Sequence, residues 1–150
     1  MAKNRASYTS LAKTLTWENG FLTLLDQTPL PVEVVSEKQE SIKQVWDSIK
    51  KLKVRGAPAI GIAGAYGVLY GVWDKTDLPV QEFMDELKKS ADYLDSSRPT
   101  AVNLSWALKR MVSKANSIVS EKPSISTKDI LITLEMEAIA IHEEDKNICR

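Results

Sequence analysis

The sequence predicts a mainly α-helical fold that opens with a β-hairpin. A turn-forming Asn19-Gly20 pair separates two alternating apolar-polar runs, and apolar residues recur at helical spacing from residue 36 onwards. A chain of 150 residues buries roughly 70% of the surface that its unfolded form exposes. This length therefore suits one helical bundle with a small sheet at its N-terminal end.

The hairpin is predicted over residues 14–25. Asn19-Gly20 suits a type I′ turn, which needs positive φ at both central positions. Residues 26–31 break the alternation, because Pro29 and Pro31 cannot donate hydrogen bonds to a sheet. We expect a bend there rather than a central strand.

The first helix is predicted to begin after Ser36, because Ser36 and Gln39 have the spacing of a capping box. Lysines follow at positions 50, 51 and 53, where cations stabilise a helix C-terminus, and this role is favoured over ligand binding. The residues expected on the buried face are Ile42, Val45, Trp46, Ile49 and Leu52.

The second helix is predicted to have Pro58 in its first turn, where a missing N–H costs little. The apolar stretch 57–73 is about the minimum length for a membrane span. However, it contains four glycines, which let neighbouring elements approach closely, so a buried helix is favoured. These glycines are Gly61, Gly64, Gly67 and Gly71.

Three further helices are predicted. The third spans residues 79–94 after an Asp77 cap, the fourth follows Thr100, and the fifth is capped by Ser126 or Thr127. Their expected buried faces carry Phe83, Leu87, Ala91 and Leu94; Leu104, Leu108, Met111, Ala115 and Val119; and Ile130, Leu134, Ala138 and Ile141.

The fifth helix has no sequence signal that ends it. Residues 129–150 contain neither glycine nor proline, and no C-cap residue follows the periodic segment. Truncation and a natural end at Arg150 are equally compatible with this pattern.

Composition excludes some classes of partner. Lys and Arg number 20, as do Asp and Glu, so the formal net charge is zero, whereas nucleic-acid-binding proteins usually carry a basic excess. The N-terminal residues lack the apolar core of a secretory signal. A single cysteine, Cys149, allows no internal disulfide and indicates a cytoplasmic protein.

The first candidate site is the segment 54–61, in which Arg55 and Gly56 immediately precede a helix start. A helix N-terminus presents unpaired N–H groups and a partial positive charge, which favour phosphate or carboxylate. Gly56 allows close backbone approach, and Arg55 offers a bidentate fork. The alternative is a tight turn whose arginine meets solvent or a carboxylate. The P-loop pattern is absent.

The second candidate site is the segment 96–101, where Arg98 again precedes a helix start. Pro99 favours extended geometry at Arg98, and Thr100 is a candidate cap. Arg55 and Arg98 would form one anion site if the two helix entrances converge, which spacing alone does not decide.

Other chemical groupings are weaker. His142 is the single histidine and lies beside Glu143, Glu144 and Asp145, where a solvated helix face is favoured over a metal site. The tryptophans are scattered and indicate packing rather than a base-stacking platform; they are Trp17, Trp46, Trp73 and Trp106.

The two candidate segments resemble a known family. RGAPAIG (residues 55–61) and SRPTAVNL (residues 97–104) are similar to the N-terminal motifs of methylthioribose-1-phosphate isomerases, and the resemblance extends over nearly the whole chain. RGAPAIG also occurs in ribose-1,5-bisphosphate isomerase and in regulatory subunits of a translation initiation exchange factor. RPTAVNL followed by Trp106 indicates the methylthioribose enzyme more narrowly. Ser105 and Gly64 depart from the residues usual in that family.

The resemblance implies that Arg55, Gly56, Ala57 and Arg98 hold the phosphate of a sugar phosphate. It implies that residues 1–150 are the N-terminal helical domain of a two-domain isomerase. The acid aspartate and the cysteine of the family belong to a Rossmann-like C-terminal domain, expected beyond Arg150, and no residue here matches them. Cys149 is expected to be a structural thiol. The family uses no metal or other cofactor and is generally homodimeric.

Three alternatives stay open. The first is a ribose-1,5-bisphosphate isomerase, which shares the RGAPAIG segment. The second is a regulatory subunit that binds a sugar phosphate or a partner without catalysis, against which the Arg98-Pro99-Thr100 segment argues. The third is a small helical interaction domain without a ligand.

Overall fold

A computed structural model describes residues 15–26, 35–51 and 57–148, which form a three-stranded antiparallel sheet followed by helices. The described order confirms the predicted fold class of a hairpin followed by a helical bundle. The strands are β1 (Leu15–Glu18), β2 (Phe21–Asp26) and β3 (Val35–Lys38). The helices are α1 (Ile42–Lys50), α2 (Ala57–Val72), α3 (Val80–Asp95), α4 (Val102–Glu121) and α5 (Thr127–Ile148).

The predicted hairpin is confirmed. Glu18 pairs with Phe21, which leaves a two-residue loop. The loop residues Asn19 and Gly20 have φ of 55° and 80°, as a type I′ turn requires. The turn lies against the bundle, because a Cβ at Gly20 would meet the Trp73 ring at 2.8 Å.

The predicted start of the first helix is wrong. Ser36 lies in β3, which pairs with β2, and α1 instead begins after Ser41, whose side chain accepts a hydrogen bond from the Gln44 N–H at 3.1 Å. The Gln39 N–H donates to the Leu22 carbonyl at 2.7 Å, so pairing with the sheet outweighs local capping. Asp26 ends β2, and the rest of the predicted bend lies outside the described residues.

Helix α2 is the centre of the bundle. Every residue of 60–69 is buried, because the other helices and the sheet surround it. A helix that is apolar on all sides needs such an environment. The Tyr70 hydroxyl ties α2 to the sheet: it accepts from the Leu22 N–H at 2.7 Å and donates to the Gln39 carbonyl. Within the described ranges, no helix has the length and apolarity to cross a membrane.

The glycines of α2 fix the directions of its neighbours. A Cβ at Gly61 would lie 2.8 Å from the Asn103 carbonyl oxygen, and one at Gly64 would lie 2.5 Å from Leu104. The residue numbers of the contacting positions increase together along the two helices, so α2 and α4 run parallel and begin at the same end. Gly67 faces Leu94 and Gly71 faces Ser90, so α3 runs antiparallel to α2.

The predicted buried faces are largely confirmed. Ile42, Trp46 and Val119 are partly buried at the edges of their faces, and Leu52 lies outside the described residues. The buried members are Val45 and Ile49 in α1; Phe83, Leu87, Ala91 and Leu94 in α3; Leu104, Leu108, Met111 and Ala115 in α4; and Ile130, Leu134, Ala138 and Ile141 in α5.

Two predicted caps are wrong and one is confirmed. The N-cap positions of α3 and α4 are Pro79 and Ala101, without side-chain hydrogen bonds, rather than Asp77 and Thr100. The Ser126 hydroxyl caps α5 by accepting from the Asp129 N–H at 3.1 Å. Thr127 instead donates its hydroxyl to the Leu78 carbonyl at 2.8 Å, which joins α5 to the loop before α3.

Substitution of Gly61 by alanine tests the close approach of α2 and α4. The new Cβ would meet a backbone oxygen that cannot rotate away, so we expect Gly61→Ala to lower the free energy of unfolding by about 1–3 kcal/mol. Gly67→Ala is the matched control, because its Cβ would meet the movable side-chain tips of Val45 and Leu94. Urea unfolding of both variants measures the difference. A smaller loss at Gly61 than at Gly67 would contradict this packing.

Candidate anion-binding site

The first turns of α2 and α4 lie side by side at one end of the bundle, as the approach of Gly61 to Asn103 shows. Neither helix has an acidic residue in its first turn, and no side chain caps α4. By contrast, α3 and α5 carry Glu82 and Asp129 in their first turns. The uncapped N–H groups at the start of α4 and two parallel helix dipoles therefore give this end a positive potential suited to an anion.

Arg98 lies on a bend between α3 and α4, which we name the α3–α4 corner (residues 95–101). The hydroxyls of Ser96 and Ser97 donate to the carbonyls of Tyr93 and Leu94, at 2.5 and 2.6 Å. The indole N–H of Trp46 donates a hydrogen bond to the Ser96 hydroxyl oxygen at 3.0 Å. These bonds satisfy the last carbonyls of α3 and fix the path of the chain toward Arg98.

A β-turn completes the corner. The Ala101 N–H donates to the Arg98 carbonyl at 2.9 Å, and Pro99 occupies the second position of the turn, where its fixed φ is favourable. The half-buried Arg98 side chain makes no ion pair or hydrogen bond with any other described residue. The guanidinium group is therefore free to bind an external anion.

The structure brings together only part of the predicted site. Arg98 precedes α4, and Ala57 opens α2, so the two helix entrances predicted from sequence are neighbours. Arg55 and Gly56 lie outside the described residues, and the convergence of Arg55 with Arg98 remains a prediction.

A cavity of about 110 Å³ lies between α2, α4 and α5 beside these helix starts. Most of its lining is apolar, which suits a small apolar group next to a charged one. The Trp106 side chain is 54% exposed, so the prediction of a packing role in the core or hairpin is wrong for this residue. The lining residues are Pro58, Gly61, Ile62, Asn103, Trp106, Ala107, Ile141 and Glu144.

Arg110 joins α4 to α5 at the wall of this cavity. Its guanidinium group contacts both oxygens of Glu144, at 2.9 and 2.6 Å, and Glu137 at 2.6 Å. It also lies over the Trp106 ring, 5.4 Å from the centroid. The hydrogen bonds from Arg110 lower the pKa of Glu144 and raise that of Arg110. Arg110 is thus occupied by carboxylates, whereas Arg98 is not.

His142 is buried, so the predicted solvated face is wrong for this residue, although Glu143 and Glu144 are exposed. Its Nδ1 lies 2.8 Å from the Tyr66 hydroxyl oxygen, because His142 lies one helical turn after the buried Ala138 and faces the same way. Burial raises the pKa of Tyr66 well above its usual range, so this hydroxyl keeps its proton.

Trp17 extends this buried group. It stacks on Tyr66 with 4.8 Å between ring centroids, and its indole N–H donates to Glu135 at 2.7 Å. The described ranges hold no group of three histidine, cysteine or acidic side chains placed to bind a metal. Side chains of residues 145–150, including Asp145 and Cys149, lie outside the description. The hydrogen bonds of Tyr66 and Trp17 therefore indicate a structural role.

Comparisons with known proteins identify relatives of this chain. The family model described as the initiation factor 2 subunit family matches residues 53–150. The chain is 46% identical over 134 residues to the 5-deoxyribose 1-phosphate isomerase of Bacillus cereus, and 46% over 136 residues to that of Moorella thermoacetica. These alignments cover 89% and 91% of the chain but 38% of each relative. The chain thus spans well under half the length of these relatives.

Solved structures show the same helical arrangement. The 5-methylthioribose 1-phosphate isomerase of Pyrococcus horikoshii matches with a TM-score of 0.76 and 34% identity, over 87% of this chain and 36% of that one. The δ subunit of translation initiation factor eIF-2B from A. fulgidus matches with a TM-score of 0.77 and 37% identity, over 88% and 37%. One fold therefore serves proteins with differently named activities.

The pH dependence of stability tests the Arg110–Glu144 pair. Because the pKa of Glu144 is lowered in the folded state, its contribution is present above the ordinary value of 4.5 and is lost as the pH falls through the lowered value. We expect Glu144→Gln to be less stable than the unsubstituted protein at pH 7, with the difference shrinking as the pH falls below 4.5. Urea unfolding across this range measures it, with Asp92→Asn as an exposed control. A difference independent of pH would contradict the pairing.

Proposed function

The chain belongs to the initiation factor 2 subunit family, and we propose that it supplies the phosphate-binding part of a sugar-phosphate isomerase. One observation carries this proposal: α2 and α4 run parallel, begin side by side, and have the unpaired Arg98 at the entrance of α4. The named isomerases that match the chain support the enzyme class.

We assign the phosphate to Arg55, Gly56, Ala57 and Arg98. The planar Arg98 guanidinium offers paired N–H donors that match two phosphate oxygens. The first-turn N–H groups of α2 and α4 contribute hydrogen bonds and the positive ends of two helix dipoles. Gly56 would let the backbone approach the anion closely. This combination favours a dianionic monoester over a carboxylate, since it offers more donors than a carboxylate uses.

The proposed reaction converts an aldose 1-phosphate to a ketose 1-phosphate. Methylthioribose 1-phosphate, giving methylthioribulose 1-phosphate in methionine salvage, is the substrate that the sequence motifs favour, and 5-deoxyribose 1-phosphate is named for the relatives. Both sugars carry an apolar group at C5. The largely apolar cavity beside the helix starts supports such a substituent, and it argues against ribose 1,5-bisphosphate, whose second phosphate would need charged partners.

We propose that residues 1–150 form the N-terminal helical domain of a longer two-domain protein. The reacting acid and cysteine would come from its other domain, since no residue here matches them, and Cys149 would be a structural thiol. The chain alone would then bind sugar phosphate without turnover. The complete enzyme would be a cytoplasmic homodimer that needs no metal or cofactor.

A regulatory role is the second candidate. The eIF-2B δ subunit matches the chain as well as the isomerase structure does, with a TM-score of 0.77. A sugar phosphate would then be sensed rather than converted. Trp106, which follows the RPTAVNL segment, favours the isomerase.

Removal of the Arg98 guanidinium tests the phosphate assignment. A charged hydrogen bond contributes roughly 1.5–3 kcal/mol, so Arg98→Ala is expected to weaken binding of inorganic phosphate by about ten- to a hundredfold. In a complete enzyme, Arg98→Ala and Arg55→Ala should mainly raise KM. Titration of the 15N-labelled chain, followed by amide chemical shifts, measures even weak affinities.

Lys114→Ala is the matched control, because it removes one positive charge from an exposed position farther along α4. Its phosphate affinity should stay close to that of the unsubstituted chain. Equal losses in Lys114→Ala and Arg98→Ala would indicate attraction by net charge rather than a site. Turnover of methylthioribose 1-phosphate by the 150-residue chain would contradict the proposal that the reacting acid and cysteine come from another domain.

A further inference from the structure

Asp95 is a buried acceptor without a donor. It is the last residue of α3, and its Oδ1 is buried and accepts no hydrogen bond within the described part of the chain. Such an oxygen is unfavourable, since it has lost water without gaining a protein partner. Its position at a helix C-terminus adds repulsion from the helix dipole. Local stability therefore does not explain an aspartate here.

The neighbouring donors are already engaged. The Ser96 and Ser97 hydroxyls donate to the carbonyls of the preceding turn, and the Trp46 indole N–H donates to Ser96. None of these three groups turns toward Asp95 Oδ1. An unpaired donor side chain at the same corner is therefore the candidate partner.

Arg98 is such a side chain at the same corner. The Arg98 N–H donates to the Asp95 carbonyl at 3.3 Å, so the two residues are the first and fourth of one turn. The Cα atoms of such residues lie within about 7 Å, which an arginine side chain can span. Arg98 has five N–H donors, and no described residue accepts from them. A residue whose acceptor lacks a donor and a residue whose donors lack an acceptor are thus joined by one turn of the backbone.

We propose that Asp95 is a positioning residue for the phosphate site: when an anion binds, Arg98 donates to Asp95 Oδ1 with one edge of its guanidinium group and to the anion with another. This inference rests on the proposed function, because it assumes that Arg98 binds phosphate. The carboxylate fixes the orientation of the planar group, which otherwise loses rotamer freedom on binding. In the anion-bound protein, Asp95 Oδ1 thus accepts the hydrogen bond that it lacks in the free protein.

Asp95→Asn tests this role, because it preserves size while removing the charge. We expect inorganic phosphate to bind roughly three- to tenfold more weakly, as is typical for coupled neighbours. The stability of the free protein should stay equal or rise, because a buried charge is lost. The Nε–H resonance of Arg98 should shift on phosphate binding in the unsubstituted chain and shift less in the variant. If Asp95 had a purely structural role, Asp95→Asn would not weaken phosphate binding while leaving the free energy of unfolding equal or higher.

Two comparisons make the test decisive. Asp92→Asn removes an exposed carboxylate one turn earlier and should leave the affinity unchanged or slightly increased. In an Arg98→Ala background, Asp95→Asn should cause no further loss, since Asp95 acts through Arg98. Should Asp95→Asn unfold the chain, Asp95→Ser serves in the same cycle.

Unchanged or tighter phosphate binding by Asp95→Asn would overturn the inference, as would an equal loss in the Arg98→Ala background. If Arg98→Ala weakens binding and Asp95→Asn does not, the inference fails while the phosphate site stands. If Arg98→Ala has no effect on phosphate binding, both the phosphate site and the role of Asp95 are wrong.

Discussion

The contact between Gly61 and the Asn103 carbonyl oxygen is the constraint on which the rest of the arrangement depends. A Cβ at Gly61 would come within 2.8 Å of that backbone oxygen, so only glycine lets the first turns of α2 and α4 pack this closely. The contact lies one turn into α2 and at the second residue of α4. It therefore determines the distance between two helix N-termini. The positive potential at this end of the bundle depends on that distance, because the two helix dipoles add there.

Other interactions keep this geometry in place. Arg110 holds α5 against α4 through two carboxylates, and the Tyr70 hydroxyl joins α2 to the sheet. On the α3–α4 corner, serine hydroxyls satisfy the carbonyls that end α3, which places Arg98 on fixed backbone. At this corner the backbone is held by hydrogen bonds, whereas the Arg98 side chain has no partner among the described residues.

Local patterns predicted most of the fold. The Asn19-Gly20 turn and the apolar periodicities of α3, α4 and α5 each reflect short-range geometry, and the structure confirms them. The predictions failed where contacts with residues distant in sequence determine the local structure. Ser36 has capping-box spacing, yet pairing with β2 extends its backbone. The acidic neighbours of His142 suggested solvent, yet helical spacing places it against Tyr66.

The candidate site was predictable in its residue types but not in its geometry. An arginine before each helix start indicated anion binding, whereas the parallel course of α2 and α4 depends on glycines whose partners sequence alone does not identify. Asp95 was missed, because an aspartate near the end of a helix is unremarkable until its oxygen proves to be buried without a donor. The exposure of Trp106 likewise required the packed structure.

The most direct measurement of the central claim follows both helix starts during one phosphate titration of the 15N-labelled chain. We expect the backbone amides opening α2 and those opening α4 to shift with the same dissociation constant, because one anion contacts both. Different constants for the two helices, or shifts confined to one of them, would contradict a shared site.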